Sequence, residues 1–209
     1  MTPAEVRRLP HHEGVPLSAY LSVLGGTGLT AYVGLTRLAR LLGAGRLIGS
    51  AGSREKVRSL TERVGHDEAF DYHTGPVADL LAKAAPSGDV FVDNVGGEHL
   101  GAAIGALRER GVRERGVRIG TVGQYNTPDA PPVVFDHADV VEKSLRMEGF
   151  PVSGHTDVQE ELDEFAVPHL LRGELELDET VVDGFERIVE AFLLMLRGGN
   201  TGKIPVREE

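Results

Sequence analysis

Between residues 46 and 152, short apolar runs alternate with segments of helical spacing, and this alternation limits the possible folds more than any other feature. Strands are predicted at 46–52, 68–72, 89–97, 117–126 and 144–152, and helices at 53–65, 76–86 and 99–110. The run DVFVDNVGG at 89–97 is continuous and β-branched, as is typical of a strand covered on both faces. The pattern predicts an α/β fold: a doubly wound, parallel, Rossmann-like sheet with helices on both faces.

The segments that flank this region are less regular. Residues 1–17 contain Pro3, Pro10 and Pro16, and they predict a flexible N-terminal arm. The apolar stretch AYLSVLGG at 19–26 predicts a buried strand that ends in a glycine turn, with a helix following at 27–45. Two further helices are predicted at 156–173 and 183–199.

Composition excludes several kinds of function. The net charge of −10 argues against a general nucleic-acid binder, which needs a basic face. The chain has no cysteine, and its eight histidines show no metal-ligand spacing, so we expect no metal site. No apolar run is long enough to span a bilayer, and the first residues do not resemble a secretory signal. We therefore expect a cytoplasmic protein without membrane partners.

Four short motifs occur in the order found in one known family. They are DNVGGEHL at 93–100, QYN at 124–126, VDGFERIVEAF at 182–192 and GGNTGKIPV at 198–206. Together they resemble the zinc-independent medium-chain dehydrogenase/reductases, in the branch of prostaglandin and curcumin reductases, from about Ser18 to Val206. The resemblance implies a nucleotide-binding domain at 18–199 and a tail at 200–209 that in the family returns to the catalytic domain. It also implies a homodimer, formed through the edge strand at 144–152.

Two departures from the family pattern affect the cofactor site. The GroES-like catalytic domain that precedes this region in the family is absent from the sequence. The family's central strand and glycine-rich phosphate loop are also missing, because Arg40 runs straight into Leu41. If residues 19–26 replace that strand, the junction from Gly26 through Gly28 to Ala31 fits G-x-G-x-x-A and would bind the pyrophosphate. Alternatively, these glycines only border the start of a helix.

Other candidate residues point to NADPH as the cofactor. After the second predicted strand, Ser53, Arg54 and Lys56 stand where an NAD site would need an acid, and they suit a 2′-phosphate. The resemblance implies that Lys56 and Tyr72 contact that phosphate. Alternatively, this segment is an ordinary helix start with solvated cations.

The resemblance also assigns roles to three residues in later segments. Asn94 ends the most apolar strand and would line the cofactor cleft. Tyr125 would lie near the substrate carbonyl and donate a hydrogen bond to its oxygen during hydride addition. Asn200 would contact the nicotinamide-side phosphate. As alternatives, Asn94 only begins a turn and Tyr125 is a partly buried loop residue.

Three functions remain open at this point. The first is NADPH-dependent reduction of the C=C bond of an α,β-unsaturated carbonyl, with a degraded cofactor site. The second is a cofactor-independent cyclase or isomerase that holds a small conjugated, polyketide-like substrate in one conformation. The third is a non-catalytic binding remnant. The first two imply a small-molecule substrate.

Overall fold

The computed structural model describes residues 9–38, 45–108, 115–118, 129 and 131–208. The helices are α1 (Gly26–Tyr32), α2 (Arg54–Glu62), α3 (Val77–Ala84), α4 (Glu98–Ala106), α5 (His137–Glu142), α6 (Gln159–Leu171) and α7 (Ile188–Leu196). The strands are β1 (Ile48–Ala51), β2 (Glu68–Asp71), β3 (Val90–Asp93), β4 (Arg115–Arg118), β5 (Arg146–Gly149), β6 (Val182–Asp183) and β7 (Val206–Arg207). Helical turns of other types cover Leu17–Leu21, Val33–Leu38, Val152–Val158 and Phe185–Arg187.

The chain divides into two compact units by its contacts. The central unit is Val33–Pro151, and the terminal unit combines Met1–Tyr32 with Val152–Glu209. These boundaries differ from the predicted division at residues 17 and 199. The central unit contains strands at four of the five predicted positions, and β4 overlaps the fifth, at 117–126, only at residues 117–118, because residues 119–126 lie outside the described residues. The terminal unit contains both ends of the chain.

The strands of the central unit pair in parallel, as the alternating pattern predicts. β1 pairs with β2, with Ile48 opposite Glu68. β3 pairs with β4 and β4 with β5, so that β4 is the middle strand of a three-stranded sheet. Helices α2, α3 and α4 connect successive strands, and α3 packs against α4. The α/β, Rossmann-like fold class is confirmed.

The predicted replacement of the central strand is wrong. Residues Leu17–Leu21 form a 3-10 helix rather than a strand, and α1 begins at Gly26. Two local backbone hydrogen bonds close the turn between them. The Leu24 N–H donates to the Ala19 carbonyl (2.8 Å), and the Gly28 N–H donates to the Ser22 carbonyl (2.9 Å). A short apolar run fits a buried helix as well as a strand, which is why its composition misleads.

The parallel sheet is consequently divided. Among the described residues, no strand pairs with the second edge of β1 or with the second edge of β3. The described strands of the central unit therefore form one pair and one triplet. A continuous sheet that draws on residues 19–26 does not form.

The terminal unit packs around α1 and α6. Its buried apolar side chains are Ala19, Tyr20, Leu24, Leu29, Val158, Leu162, Ala166, Val182 and Ala191. The described part of the N-terminal arm contacts this core, because the His12 N–H donates to the Tyr20 hydroxyl (3.1 Å). The His12 ring also lies 3.5 Å from the Asp163 carboxylate on α6. Residues of the C-terminal tail form β7, which pairs with β6 inside the same unit.

None of the described helices has both the length and the apolar character needed to cross a bilayer.

Candidate cofactor site

Three of the predicted phosphate-binding residues lie together at the carboxyl end of β1. Ser53 caps α2, with its Oγ accepting a hydrogen bond from the backbone N–H of Lys56 (3.2 Å). Tyr72 directly follows β2 and is joined to β1 through its N–H, which donates to the Ala51 carbonyl (3.2 Å). The Tyr72 hydroxyl lies against Gly52, where an added Cβ would come within 2.5 Å of the hydroxyl oxygen. The absence of a side chain at Gly52 therefore lets the Tyr72 phenol pack directly against the backbone beside the start of α2.

The charge at this edge favours an anion. Arg54 and Lys56 lie in the first turn of α2, where backbone N–H groups and the positive end of the helix dipole already favour negative charge. Glu55 lies in the same turn and partly offsets them. On the other side of Gly52, the His73 ring lies 3.1 Å from the Gly52 carbonyl. The arrangement suits a small phosphate group better than a neutral hydroxyl.

The turn after β3 is built by Asp93 rather than by Asn94. The Asp93 Oδ1 accepts hydrogen bonds from the N–H groups of Val95 (2.9 Å) and Gly96 (2.8 Å). Gly96 and Gly97 both take positive φ values, 75° and 60°, which glycine adopts without strain. Asn94 itself is exposed at the carboxyl edge of the strand, where ligands bind in such sheets.

A buried polar cluster near these strand ends was not predicted from the sequence. His99, in the first turn of α4, is 8% exposed, and its ring meets that of Tyr72 edge-on with the centroids 5.1 Å apart. Burial lowers the pKa of His99, and the nearby carboxylates of Glu98 and Asp93 oppose that shift. The His99 Nε2 and the Asp93 Oδ2 are both buried without a hydrogen-bond partner. One signal was present, a histidine two residues after the Gly-Gly turn of the most apolar strand.

The remaining predicted residues lie elsewhere. Gly26 and Gly28 belong to the terminal unit, at the start of α1, and the strand that their G-x-G-x-x-A junction requires is absent there. An added Cβ at Gly28 would overlap the Val23 carbonyl, so this glycine permits close backbone packing. Asn200, also in the terminal unit, donates from Nδ2 to the Gly202 carbonyl (2.7 Å). Tyr125 lies outside the described residues.

Comparisons with known proteins agree with this fold. The family model described as zinc-binding dehydrogenase matches residues 20–167. A putative NADP-dependent oxidoreductase of Bacillus subtilis, YfmJ, is 34% identical over 220 residues, which cover 90% of this chain and 63% of that protein. Prostaglandin reductase 1 of Rattus norvegicus is 33% identical over 97% of this chain and 69% of its own length.

A solved structure shows the same fold. The crystal structure of CurA from Vibrio vulnificus in complex with NADPH superposes with a TM-score of 0.82 at 25% identity, over 96% of this chain and 67% of that chain. The chain thus spans 63% of the Bacillus relative and about two thirds of CurA. The matching family model and these relatives show that the chain belongs to the medium-chain dehydrogenase/reductase family.

Proposed function

We propose that the chain binds NADP(H) by its 2′-phosphoadenosine end at the carboxyl edge of β1, and that it serves an NADPH-dependent reductase reaction. The observation that carries this proposal is that the Tyr72 hydroxyl packs against Gly52, next to the Ser53-capped start of α2 that contains Lys56. The names of two similar proteins support it, since YfmJ is called NADP-dependent and CurA was crystallised with NADPH.

The residues present fit one end of the cofactor. A 2′-phosphate needs N–H donors, a cation and a hydroxyl, which the start of α2, Lys56 and the Tyr72 phenol beside Gly52 would supply. The residues present do not fit the pyrophosphate, because no strand precedes Gly26 and Gly28 and backbone atoms fill the space beside Gly28. We therefore propose a cofactor site whose adenosine half is intact and whose glycine junction serves packing.

The proposed chemistry is reduction of the C=C bond of an α,β-unsaturated carbonyl. NADPH would supply a hydride to the β-carbon, while solvent supplies a proton to the α-carbon, which gives the saturated carbonyl and NADP⁺. We propose that the Tyr125 hydroxyl donates a hydrogen bond to the carbonyl oxygen, as the family resemblance implies. Asn94 would line the cleft beside β3, and the cofactor contact that the resemblance implies for Asn200 stays a prediction.

Calorimetric titration with NADPH and NADH tests the proposal. We expect NADPH to bind at least about tenfold more tightly than NADH, because a charge-assisted phosphate contact is worth about 1.5–3 kcal/mol. Lys56→Ala should remove most of that preference. Lys83→Ala is the matched control, since Lys83 is an exposed lysine at the end of α3. Equal affinity for the two dinucleotides, or no effect of Lys56→Ala, would contradict the proposed site.

A cyclase or isomerase without cofactor is the second candidate, and the turn at residues 17–25 favours it. Residues 17–25 form this turn and not the strand after which a pyrophosphate loop would lie, so a reductase would need another contact to the pyrophosphate. This alternative predicts a folded protein that binds neither NADPH nor NADH. It also predicts conversion of a conjugated substrate into an isomer of equal mass, measured by mass spectrometry with no nucleotide added.

The homodimer and the cytoplasmic location stay predictions. β5 is an edge strand of its sheet among the described residues, as dimerisation through residues 144–152 requires. Its polar sequence, Arg146-Met-Glu-Gly149, includes the exposed Arg146–Glu148 ion pair.

A further inference from the structure

His73 lies beside the proposed 2′-phosphate site, in the turn that follows β2. Two hydrogen bonds to Asp71 fix this turn: the His73 N–H donates to Oδ1 (3.0 Å), and the Thr74 hydroxyl donates to the backbone carbonyl (2.7 Å). The backbone of His73 is therefore held at the carboxyl edge of the β1–β2 pair. Its side chain is 66% exposed, so the imidazole is accessible to a ligand at that edge.

The His73 imidazole and the Tyr72 phenol pack against the same stretch of backbone. A Cβ added at Gly52 would come within 2.5 Å of the Tyr72 hydroxyl oxygen and within 3.2 Å of the His73 Cε1. The two rings lie side by side, with their centroids 4.4 Å apart. The imidazole therefore borders the phenol oxygen. A phosphate that accepts a hydrogen bond from the Tyr72 hydroxyl lies within reach of the His73 ring.

The contact made by Nδ1 decides what the other ring nitrogen of His73 offers to a ligand. Nδ1 lies 3.1 Å from the Gly52 carbonyl oxygen, which can only accept a hydrogen bond, so Nδ1 carries a hydrogen. In the neutral ring Nε2 is then an acceptor, and its lone pair would repel a phosphate oxygen. In the protonated ring Nε2 gains a hydrogen and becomes a charged donor. Only the imidazolium therefore binds a phosphate through Nε2.

The charges around His73 suit an imidazolium that has a bound phosphate beside it. When the ring is protonated, the Asp71 carboxylate, 3.4 Å from Nδ1, forms an ion pair with it. The cations Arg54 and Lys56 at the start of α2 repel the imidazolium, and a phosphate bound among the three offsets that repulsion. The other titratable side chains on the neighbouring elements are Tyr72, Glu55 in the first turn of α2, Asp79 in the first turn of α3 and His99 in the first turn of α4.

We infer that protonated His73 is a second cation of the 2′-phosphate site, with Nε2 donating to a phosphate oxygen beside the Tyr72 hydroxyl. The inference rests on the proposed function, because it adds a ligand contact to the same site. It makes the choice between NADPH and NADH depend on pH, since imidazole gains its proton near neutrality whereas a lysine keeps its charge over the same range. The bound phosphate stabilises the protonated ring, so the added preference for NADPH is present at low pH and is lost as the pH rises.

Calorimetric titration of the whole chain with NADPH and with NADH, at about pH 6.5 and about pH 8.5, tests this inference. The ratio of the two affinities should be about fivefold higher at the lower pH, as expected for one exposed charge-assisted contact. Protonation of the phosphate itself, near pH 6, acts in the opposite direction. His73→Gln should show the low ratio at both pH values, and His73→Lys, which keeps a cation, should show a high ratio at both. His11→Gln, at an exposed histidine of the terminal unit, is the matched control and should behave like the wild type.

Proton uptake on binding supplies a readout that a merely structural role of His73 would not change. Titrations near neutral pH in two buffers of different ionisation enthalpy should show that NADPH binding takes up more protons with the wild type than with His73→Gln, and that NADH binding shows no such difference. A preference for NADPH that Lys56→Ala removes, but that is equal at both pH values in the wild type and in His73→Gln, would overturn the role of His73 and leave the proposed function standing. No preference for NADPH at either pH would contradict the proposed function and this inference together.

Discussion

Gly28 and Gly26 provide a matched pair of substitutions that separates packing from cofactor binding. An alanine Cβ at Gly28 would overlap the carbonyl of Val23 and come within 2.8 Å of its Cα, whereas at Gly26 it would meet nothing within 4 Å. The atoms at Gly28 are backbone, and the hydrogen bond from its N–H to the Ser22 carbonyl holds the turn in place. The clash of an alanine Cβ with this backbone can therefore be relieved only if the whole turn moves.

The expected magnitude follows from these contacts. Overpacking costs about 1–3 kcal/mol, and distortion of the Gly28 hydrogen bond costs about 1 kcal/mol more. Gly28→Ala should lower the free energy of unfolding by about 3 kcal/mol, or the melting temperature by about 6–12 °C for a chain of this size. Gly26→Ala should be neutral or stabilising by about 0.5 kcal/mol, because alanine favours the helix.

Chemical denaturation and calorimetry decide between the two roles. If these glycines serve packing, neither substitution changes the affinity for NADPH at a temperature where the variant is folded. If they hold the pyrophosphate, Gly26→Ala weakens NADPH binding without loss of stability. That result, or a Gly28→Ala variant as stable as the wild type, would refute the packing explanation.

Two further predictions concern buried polar groups in the central unit. Burial lowers the pKa of His99 below its ordinary value of about 6.5, so the stability that neutral His99 contributes is present above pH 6.5 and is lost as the pH falls below that value. His99→Gln should therefore flatten the pH dependence of the unfolding free energy, whereas His11→Gln, at an exposed site, should not. Lys143 is 7% exposed and donates to two carbonyls near the end of α4 (3.1 and 2.8 Å), so Lys143→Met should lower the unfolding free energy by about 2 kcal/mol, against little change for Lys83→Met on the surface of α3.

The alternating part of the chain could be predicted because its signals are local. The run at 89–97 contains the observed strand Val90–Asp93, and α2 (Arg54–Glu62) lies within the helix predicted at 53–65. The family resemblance predicted that Lys56 and Tyr72 share a site, and the parallel pairing of β1 with β2 places the carboxyl ends of both strands at one edge of the sheet.

The rest depended on information that the local pattern does not contain. Whether residues 19–26 form a strand is decided by which partners are available to their backbone groups, and local turns satisfy those groups first. The buried state of His99 depends on the packing of Tyr72, which lies 27 positions earlier in the chain. The sequence also does not predict that α7 is exposed, because the spacing of its apolar residues is that of a helix packed on a core.

Amide chemical shifts recorded during titration with 2′,5′-ADP test the proposed cofactor site most directly, because this ligand carries the 2′-phosphate without the nicotinamide. The account predicts shifts at Gly52, Ser53 and Lys56 that saturate at lower concentration than with 5′-AMP, and no shift at Gly26 or Gly28. Equal responses to the two nucleotides, or shifts centred on the start of α1, would contradict a 2′-phosphate site at the carboxyl end of β1.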